Sequence, residues 1–294
     1  MSNQALICAP ASVNAGAAGA YEFALTDEVF ARIRTLVREH TGIALSDAKR
    51  QMVYGRLVRR LRALRLSSFD EYLELLERAE PLELQEFTNA ITTNLTSFFR
   101  EAHHFEYLAE QWVPHIAAHL PASGRVRIWS SACSTGEEAY SIAMVLRERQ
   151  PQLAGADVRI LATDLDSNVL AVGAAGVYPA ERLSTVSKAR VTEFFKPLGE
   201  AQPGMVRVSP ALRQLITFKQ LNLMDPWPMR GPFDVIFCRN VVIYFDLETK
   251  RALFERMAQL QPAGSILMLG HSESLYHISD RYELIGRTIY RRID

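Results

Sequence analysis

Arg125-Val-Arg-Ile-Trp-Ser-Ser-Ala-Cys-Ser-Thr-Gly-Glu-Glu-Ala-Tyr-Ser-Ile-Ala-Met-Val-Leu146 reads as a strand, a tight loop and a helix in succession. Val126 and Ile128 supply the apolar residues of the strand. Ala132 to Gly136 are small and flexible, so the backbone there can lie close against a ligand. Ala139, Ile142, Ala143 and Leu146 recur at i, i+3, i+4 and i+7, the period of a helix packed on a sheet. A small-residue loop between a parallel strand and a helix N-terminus is where open α/β sheets hold nucleotide-like ligands. The loop is no G-x-G-x-x-G, because it has one glycine and two carboxylates, Glu137 and Glu138, follow it. Carboxylates there repel a pyrophosphate and suit a ligand with a cationic head.

The amino group of S-adenosylmethionine is such a head, and the segment reads as the cofactor loop of a methyltransferase. With 294 residues and 48% hydrophobic content, the chain can bury a sizeable core, enough for two domains. Lys+Arg and Asp+Glu both number 33, so no global field draws it to nucleic acid or anionic lipid, and a partner must be chosen by a local patch. Cys8, Cys133 and Cys238 are far apart and odd in number, which is neither a disulfide framework nor a zinc site and fits a reducing, cytoplasmic compartment. No apolar run is long enough to span a bilayer, so no direct membrane insertion is expected. Residues 1–20 are Ala-rich, lack the positive start of a signal peptide and read as a disordered tail.

From Thr26 to about Leu95 every segment is helical in pattern. Thr26 can cap a helix carrying Val29, Ile33, Leu36 and Val37, which stops near Gly42. A second helix follows Ser46 through Met52, Leu57 and Leu61, and a third opens with the capping box Ser68-Phe69-Asp70-Glu71. A fourth starts at Pro81 and carries Leu84, Phe87 and Ile91. Residues 21–92 are therefore predicted to form a small all-α domain. After about residue 120 the pattern alternates, with strand candidates Val126–Trp129, Val158–Ala162, Leu215–Phe218, Phe233–Cys238 and Ile266–Leu269 and helical stretches between most of them. That is a parallel sheet with crossover helices. Tyr282–Ile285 and Thr288–Arg291 flank Gly286-Arg287 as a hairpin. A mostly parallel sheet finished by an antiparallel pair is the Rossmann-like methyltransferase architecture, predicted over residues 93–294. Between Val177 and Leu215 lies an insertion with Pro203-Gly204 in its middle. An antiparallel ribbon of Met205–Val208 against Leu215–Phe218 is expected there, a small β-subdomain at about residues 191–220.

Ala162-Thr163-Asp164-Leu165-Asp166 ends the second strand. An acid at this point in a nucleotide-binding unit accepts hydrogen bonds from ribose hydroxyls, a role given to Asp164, with Asp166 capping the next helix. Phe233 to Phe245 fits a central strand with Arg239-Asn240 at its C-terminal edge, where ligands sit. Asn94-Leu95-Thr96-Ser97-Phe98-Phe99-Arg100-Glu101 lies between the domains; alone it is a helix cap and a core pair of phenylalanines.

Together, Asn-Leu-Thr-Ser-Phe-Phe-Arg, Ser-Thr-Gly-Glu-Glu, Ala-Thr-Asp-Leu-Asp and Phe-Cys-Arg-Asn-Val-Val-Ile-Tyr-Phe, in that order and spacing, resemble the chemotaxis receptor methyltransferases of the CheR type. Gly270-His271-Ser272-Glu273-Ser274 also looks like that family, and the resemblance spans roughly Tyr21 to Arg292. It implies transfer of a methyl group from S-adenosylmethionine to glutamate side chains of membrane chemoreceptors, with S-adenosylhomocysteine as product and no metal. By similarity Asn94, Thr96, Arg100, Glu138, Asp164, Asn222, Leu223, Arg239 and Asn240 line the cofactor site, Glu138 being favoured over Glu137. Tyr244 approaches the transferred methyl, and Arg100 can hold the incoming carboxylate. The β-subdomain resembles one that, in some members, grips a short peptide at the receptor's C-terminus. The enzyme is expected to be a monomer acting on cytoplasmic receptor helices. A glutamate with pKa about 4.3 is already ionised at neutral pH, so it needs no general base. The enzyme's task is alignment and solvent exclusion.

Other motifs fail on inspection. Gly270-His-Ser-Glu-Ser274 lacks the second glycine of a nucleophile elbow, and His271 reads as structural. His115 and His119 lack the glutamate of H-E-x-x-H and read as a surface helix. Cys133 has no evident base partner. The helix from Lys49 to Leu66 packs Arg56, Arg59, Arg60, Arg62 and Arg65 into one stretch. Such a run is ordinarily a solvated face; the resemblance makes Arg56, Arg59, Arg60 and Arg62 a candidate docking surface for acidic receptor helices. RNA binding lacks the interleaved aromatics it needs. A nucleic-acid amino-methylating enzyme lacks its Asn-Pro-Pro-Tyr signature, a nicotinamide dehydrogenase lacks its glycine fingerprint, and a cofactor-sensing scaffold without turnover conflicts with intact Arg100, Asp164 and Asn240.

Overall fold

The computed structural model describes residues 22–78, 80–120 and 124–294; the tail at residues 1–20 and Cys8 lie outside them. Helix α1 (Asp27–Thr41) starts where the Thr26 side chain accepts from the Val29 N–H and ends at left-handed Gly42. A 3-10 turn leads into α2 (Arg50–Leu64), followed by α3 (Phe69–Glu77) and α4 (Pro81–Ile91). Ser68 accepts from the Glu71 N–H, but the Glu71 carboxylate reaches back to Ser67 instead of closing the capping box on Ser68. Ile33, Val37, Leu57, Leu61, Tyr72 and Phe87 form the centre of this unit's own core. Beyond the linker, α5 (His103–Tyr107) continues through a π turn at Leu108–Trp112 into α6 (Val113–His119).

The alternating half contains β1 (Arg125–Ser130), α7 (Glu137–Glu148), β2 (Asp157–Asp164), α8 (Ser167–Ala175), β3 (Val177–Pro179), α9 (Lys188–Phe194), β4 (Phe195–Pro197) and β5 (Met205–Val208). It goes on through α10 (Pro210–Arg213), β6 (Ile216–Gln220), β7 (Val235–Cys238), α11 (Leu247–Gln259), β8 (Ile266–Leu269), β9 (Tyr282–Gly286) and β10 (Ile289–Arg292). Seven strands make one sheet in the order β6-β2-β1-β7-β8-β10-β9. All neighbours are parallel through β8, and β10 pairs antiparallel with both β8 and β9. Side chains alternate between two cores, as a pleated strand demands. Val126, Ile128, Val235, Phe237, Ile266 and Met268 enter the core under α7, while Trp129, Ile236, Cys238, Leu267 and Leu269 enter the core under α11. The chain leaves β1 toward β2 on one side and returns to pair β7 on the other, so the switch point lies between β1 and β7, where open sheets gather ligands.

The expected ribbon of Met205–Val208 against Leu215–Phe218 does not form. Instead β5 pairs with β3 and β4 in a separate three-stranded sheet, so the small sheet occupies 177–208 rather than 191–220. The α10 turn separates β5 from β6, and β6 pairs in parallel with the edge of β2, Ile216 against Ile160. Among the described residues no helix is long and apolar enough to cross a membrane.

Candidate active site

An open cleft lies at the C-terminal ends of β1, β2 and β7, where open α/β sheets bind their ligands. Asn94, Thr96, Arg100, Glu138, Asp164, Asn222, Leu223, Arg239, Asn240 and Tyr244, drawn from the linker and four strand ends, all line it. Arg56, Arg59, Arg60 and Arg62 do not.

The loop after β1 is stapled to both neighbours: the Ser131 N–H donates to the Phe237 carbonyl at 2.9 Å and the Cys133 N–H to the Thr163 carbonyl at 2.8 Å. Gly136 has φ +94°, and a Cβ there would sit 2.9 Å from the Gly173 Cα, so only glycine fits. Ser134 and Asn240 on the cleft wall, and Phe99 and Glu101 beside Arg100, are also left-handed. Each such non-glycine residue costs on the order of 1 kcal/mol and persists only where its surroundings hold it.

The two carboxylates after Gly136 part company. Glu137, fully buried, accepts from Arg182 and Thr135 and does not line the cleft. Glu138 faces the cleft, accepting from the Ser130 hydroxyl at 2.7 Å and from Arg239 at 2.8 Å. Asp164, 8% exposed, accepts from the Ser134 N–H at 2.8 Å and the Asp166 N–H at 3.0 Å; burial pushes its carboxyl up to about 6 despite these bonds. Arg239 is buried between Glu138 and Glu101 and donates to the Arg100 carbonyl. Burial opposes ionisation of Glu101, but His271, Arg239 and Asn240 hold its carboxyl down to about 2. His104, fully buried, is pushed down to about 3 by burial and by the Arg239 charge, and is neutral. Arg100 donates to the Leu95 carbonyl at 2.7 Å, which folds its side chain along the linker.

The helical unit forms part of the wall. The Ala44 N–H donates to the Tyr244 carbonyl at 2.8 Å, the Lys49 ammonium lies 4.5 Å from the Tyr244 ring centroid, and the Asn222 amide donates to the His40 carbonyl. Two supporting residues carry more than sequence reasoning assigned them. Asp166 caps α8 with one oxygen, as expected, and with the other accepts from Thr92 and Asn94, fixing the linker. Glu273, 5% exposed, accepts from the N–H groups of Gly270, Asn240, Val241, Val242 and Ile243 and so sets the loop that presents Arg239, Asn240 and Tyr244. A Cβ at Gly270 would meet the Asn240 amide nitrogen at 2.4 Å. The sequence signal for Glu273 was the Gly-His-Ser-Glu-Ser segment, which shows an acid but not the four distant donors from 240–243.

The donor set suits S-adenosylmethionine. Glu138 can hold an ammonium, Arg100 and Arg239 a carboxylate, and Asp164 a pair of ribose hydroxyls; Leu221, Leu223, Val241 and Phe245 offer an apolar wall for a base. Residues 94–291 match the family model described as CheR methyltransferase, SAM binding domain, and residues 28–92 match CheR methyltransferase, all-alpha domain. The chain belongs to the CheR methyltransferase family. It is 45% identical to the chemotaxis protein methyltransferase 2 of Pseudomonas aeruginosa, over 96% of this chain and 99% of that protein. It is 43% identical to the chemotaxis protein methyltransferase of Escherichia coli, over 91% of each chain, and 42% identical to a probable chemotaxis protein methyltransferase of Rhizobium etli, over 87% of this chain and 96% of that one.

In this CheR methyltransferase the arginine helix divides. Arg56 turns inward and donates to the carbonyls of Ala90, Ile91 and Thr92, satisfying the C-terminal end of α4. Arg60 grips buried Glu83, which also accepts from Tyr72. Both are therefore structural, and the expectation that they dock a partner is corrected. Arg62 is exposed and paired with Glu22, and Arg59 is exposed with no hydrogen bond or ion pair among the described residues. His115 and His119 are on an exposed helix surface, as expected. The Cys133 and Cys238 thiols are buried, and burial pushes both far up, out of thiolate range at neutral pH.

Proposed function

We propose that this enzyme transfers the methyl group of S-adenosylmethionine to glutamate side chains on the cytoplasmic helices of membrane chemoreceptors. The products are glutamyl methyl esters, which serve chemotactic adaptation, and S-adenosylhomocysteine; no metal takes part. The reading rests on the convergence in one cleft of Glu138, Asp164, Arg100, Arg239 and Tyr244, charges of both signs around an apolar wall. The names of the relatives in P. aeruginosa and E. coli support the chemotactic setting.

When bound, the cofactor supplies an electrophilic methyl on a sulfonium. The protein supplies position. An incoming glutamate is already ionised at neutral pH, so no side chain has to remove a proton. Arg100, flanked by left-handed Phe99 and Glu101, orients the carboxylate, and Tyr244 borders the path of the methyl. The buried Arg239–Glu138 pair keeps that region polar and fixed.

Residues 21–92 act as a docking unit, 93–294 as the transferase, and the small sheet as the surface for a receptor's C-terminal peptide, β4 being at its edge. Arg59 and Arg62 meet the acidic receptor helices. The enzyme works as a cytoplasmic monomer. Incubation with methyl-labelled cofactor and receptor-bearing membranes is expected to label the receptors with base-labile methyl. Base-stable label, or none on receptors beside an active positive control, overturns the reading.

A further inference from the structure

The cofactor loop is gripped from behind as well as lined from the front. Ser131, Ala132, Ser134 and Glu138 face the cleft; Thr135, Gly136 and Glu137 do not. Those three meet the small sheet. The Tyr178 hydroxyl, on β3, donates to the Thr135 carbonyl at 2.6 Å, and Tyr178 is 2% exposed. Arg182, on the 3-10 turn after β3, donates to Glu137 at 2.6 Å, while the other oxygen of Glu137 accepts from the Thr135 hydroxyl at 2.6 Å. Arg182 is the one cation paired with Glu137 among the described residues. The Tyr178 ring packs edge-on against Phe98, whose carbonyl accepts from the Thr185 hydroxyl, so the same sheet steadies the linker leading to Arg100.

We propose that Tyr178 and Arg182 are positioning residues for S-adenosylmethionine: they touch no part of the cleft, yet hold the loop in the shape that presents Glu138. The inference rests on the reading of the cleft as the cofactor site. Glu137 and Glu138 are consecutive in the first turn of α7, so one cannot move far without the other. Without Arg182, a fully buried carboxylate keeps only a hydroxyl partner, and an uncompensated buried charge drives the turn toward water. That displacement carries Glu138 away from Arg239. Ser134, left-handed although not a glycine, makes the loop dependent on such outside bonds, because its backbone does not favour this shape on its own. Tyr178 adds a second restraint at Thr135, and its hydroxyl lies against Gly136, where an added Cβ would meet it at 3.1 Å.

The test is calorimetric titration of S-adenosylmethionine into full-length enzyme, with no receptor present, for wild type, Tyr178→Phe, Arg182→Ala, Arg182→Lys and the double variant Glu137→Gln/Arg182→Ala. Arg182→Ala is expected to raise the cofactor Kd on the order of tenfold, and Tyr178→Phe about threefold to fivefold. Arg182→Lys and the double variant, one restoring a cation and one removing the stranded charge, should each recover most of the loss. With receptor, KM for the cofactor should rise while kcat at saturating cofactor stays within about twofold. Wild type that binds no cofactor refutes the reading of the cleft. Wild type that binds, with Tyr178→Phe and Arg182→Ala equal to it, refutes the positioning role. So does a loss that follows a lowered melting temperature and is not recovered in Arg182→Lys or the double variant, which marks a merely structural contact.

Discussion

Replacing Asp164 by asparagine separates what this residue does for the fold from what it does for the ligand. Burial lifts its carboxyl from 3.8 to about 6. At about 1.36 kcal/mol per pH unit, ionising it costs the folded protein ~3 kcal/mol at neutral pH. Asparagine removes that cost. It has a single acceptor oxygen, however, so either the Ser134 or the Asp166 N–H loses its partner, at about 1–3 kcal/mol. The two terms oppose each other, and the unfolding free energy at neutral pH should change by less than about 2 kcal/mol. Cofactor binding has no such compensation. Loss of charge-assisted acceptance from ribose hydroxyls costs about 1.5–3 kcal/mol, a rise in Kd of roughly 10- to 150-fold. The pH dependence follows in sign. The folded value lies above the unfolded one, so the protonated carboxyl favours folding below about pH 3.8, and this advantage is lost as pH rises through about 6. The stability of wild type relative to Asp164→Asn should therefore fall across that window. Wild-type cofactor affinity should weaken below about pH 6, and that of the variant should stay flatter. Urea denaturation and calorimetry at several pH values measure both halves. A folded Asp164→Asn protein with wild-type cofactor affinity refutes the ribose assignment.

Changing both Cys133 and Cys238 to alanine should leave a folded enzyme with substantial turnover; a variant that binds cofactor but makes no ester would show that a thiol takes part. Changing Arg59 and Arg62 to glutamate should lower the second-order rate on whole receptor and flatten its salt dependence, since such contacts are screened over roughly 8 Å, while cofactor Kd stays the same. By contrast, Arg60→Ala strands buried Glu83 and should cost about 3 kcal/mol in urea denaturation, against less than about 0.5 kcal/mol for Arg59→Ala. Glu273→Gln should destabilise the enzyme by about 2 kcal/mol or more and weaken cofactor binding, because an amide nitrogen then faces backbone N–H donors; unchanged stability contradicts the anchoring role.

The main sheet was legible because its signals are local. The run from Val126 to Leu146 shows strand, loop and helix periods without interruption, and the alternate residues of β7 and β8 divide between two cores. The small sheet was not. Strands β3 and β4 have three residues each, too short for alternation to register, and β5 finds its partners on the N-terminal side instead of in the next apolar run. In the cleft, residue identity at strand ends was enough to gather Asp164, Arg239 and Asn240, because strand ends converge by topology. Roles that depend on distant partners stayed hidden. Arg56 and Arg60 look alike in a charge run, and only the packing of α4 on α2 turns both inward while leaving Arg59 outside. The second oxygen of Asp166 reaches back to Thr92 and Asn94 across the chain, which no local motif encodes.

The most direct measurement is tandem mass spectrometry of chemoreceptor incubated with the enzyme and S-adenosylmethionine, with and without mild base treatment. One methyl mass on glutamate side chains of the receptor's cytoplasmic helices, removed by base and lost with Arg100→Ala, is the expected result. Methyl on lysine, on a chain terminus or on nucleic acid in the preparation, or on glutamate with Arg100→Ala as active as wild type, contradicts it.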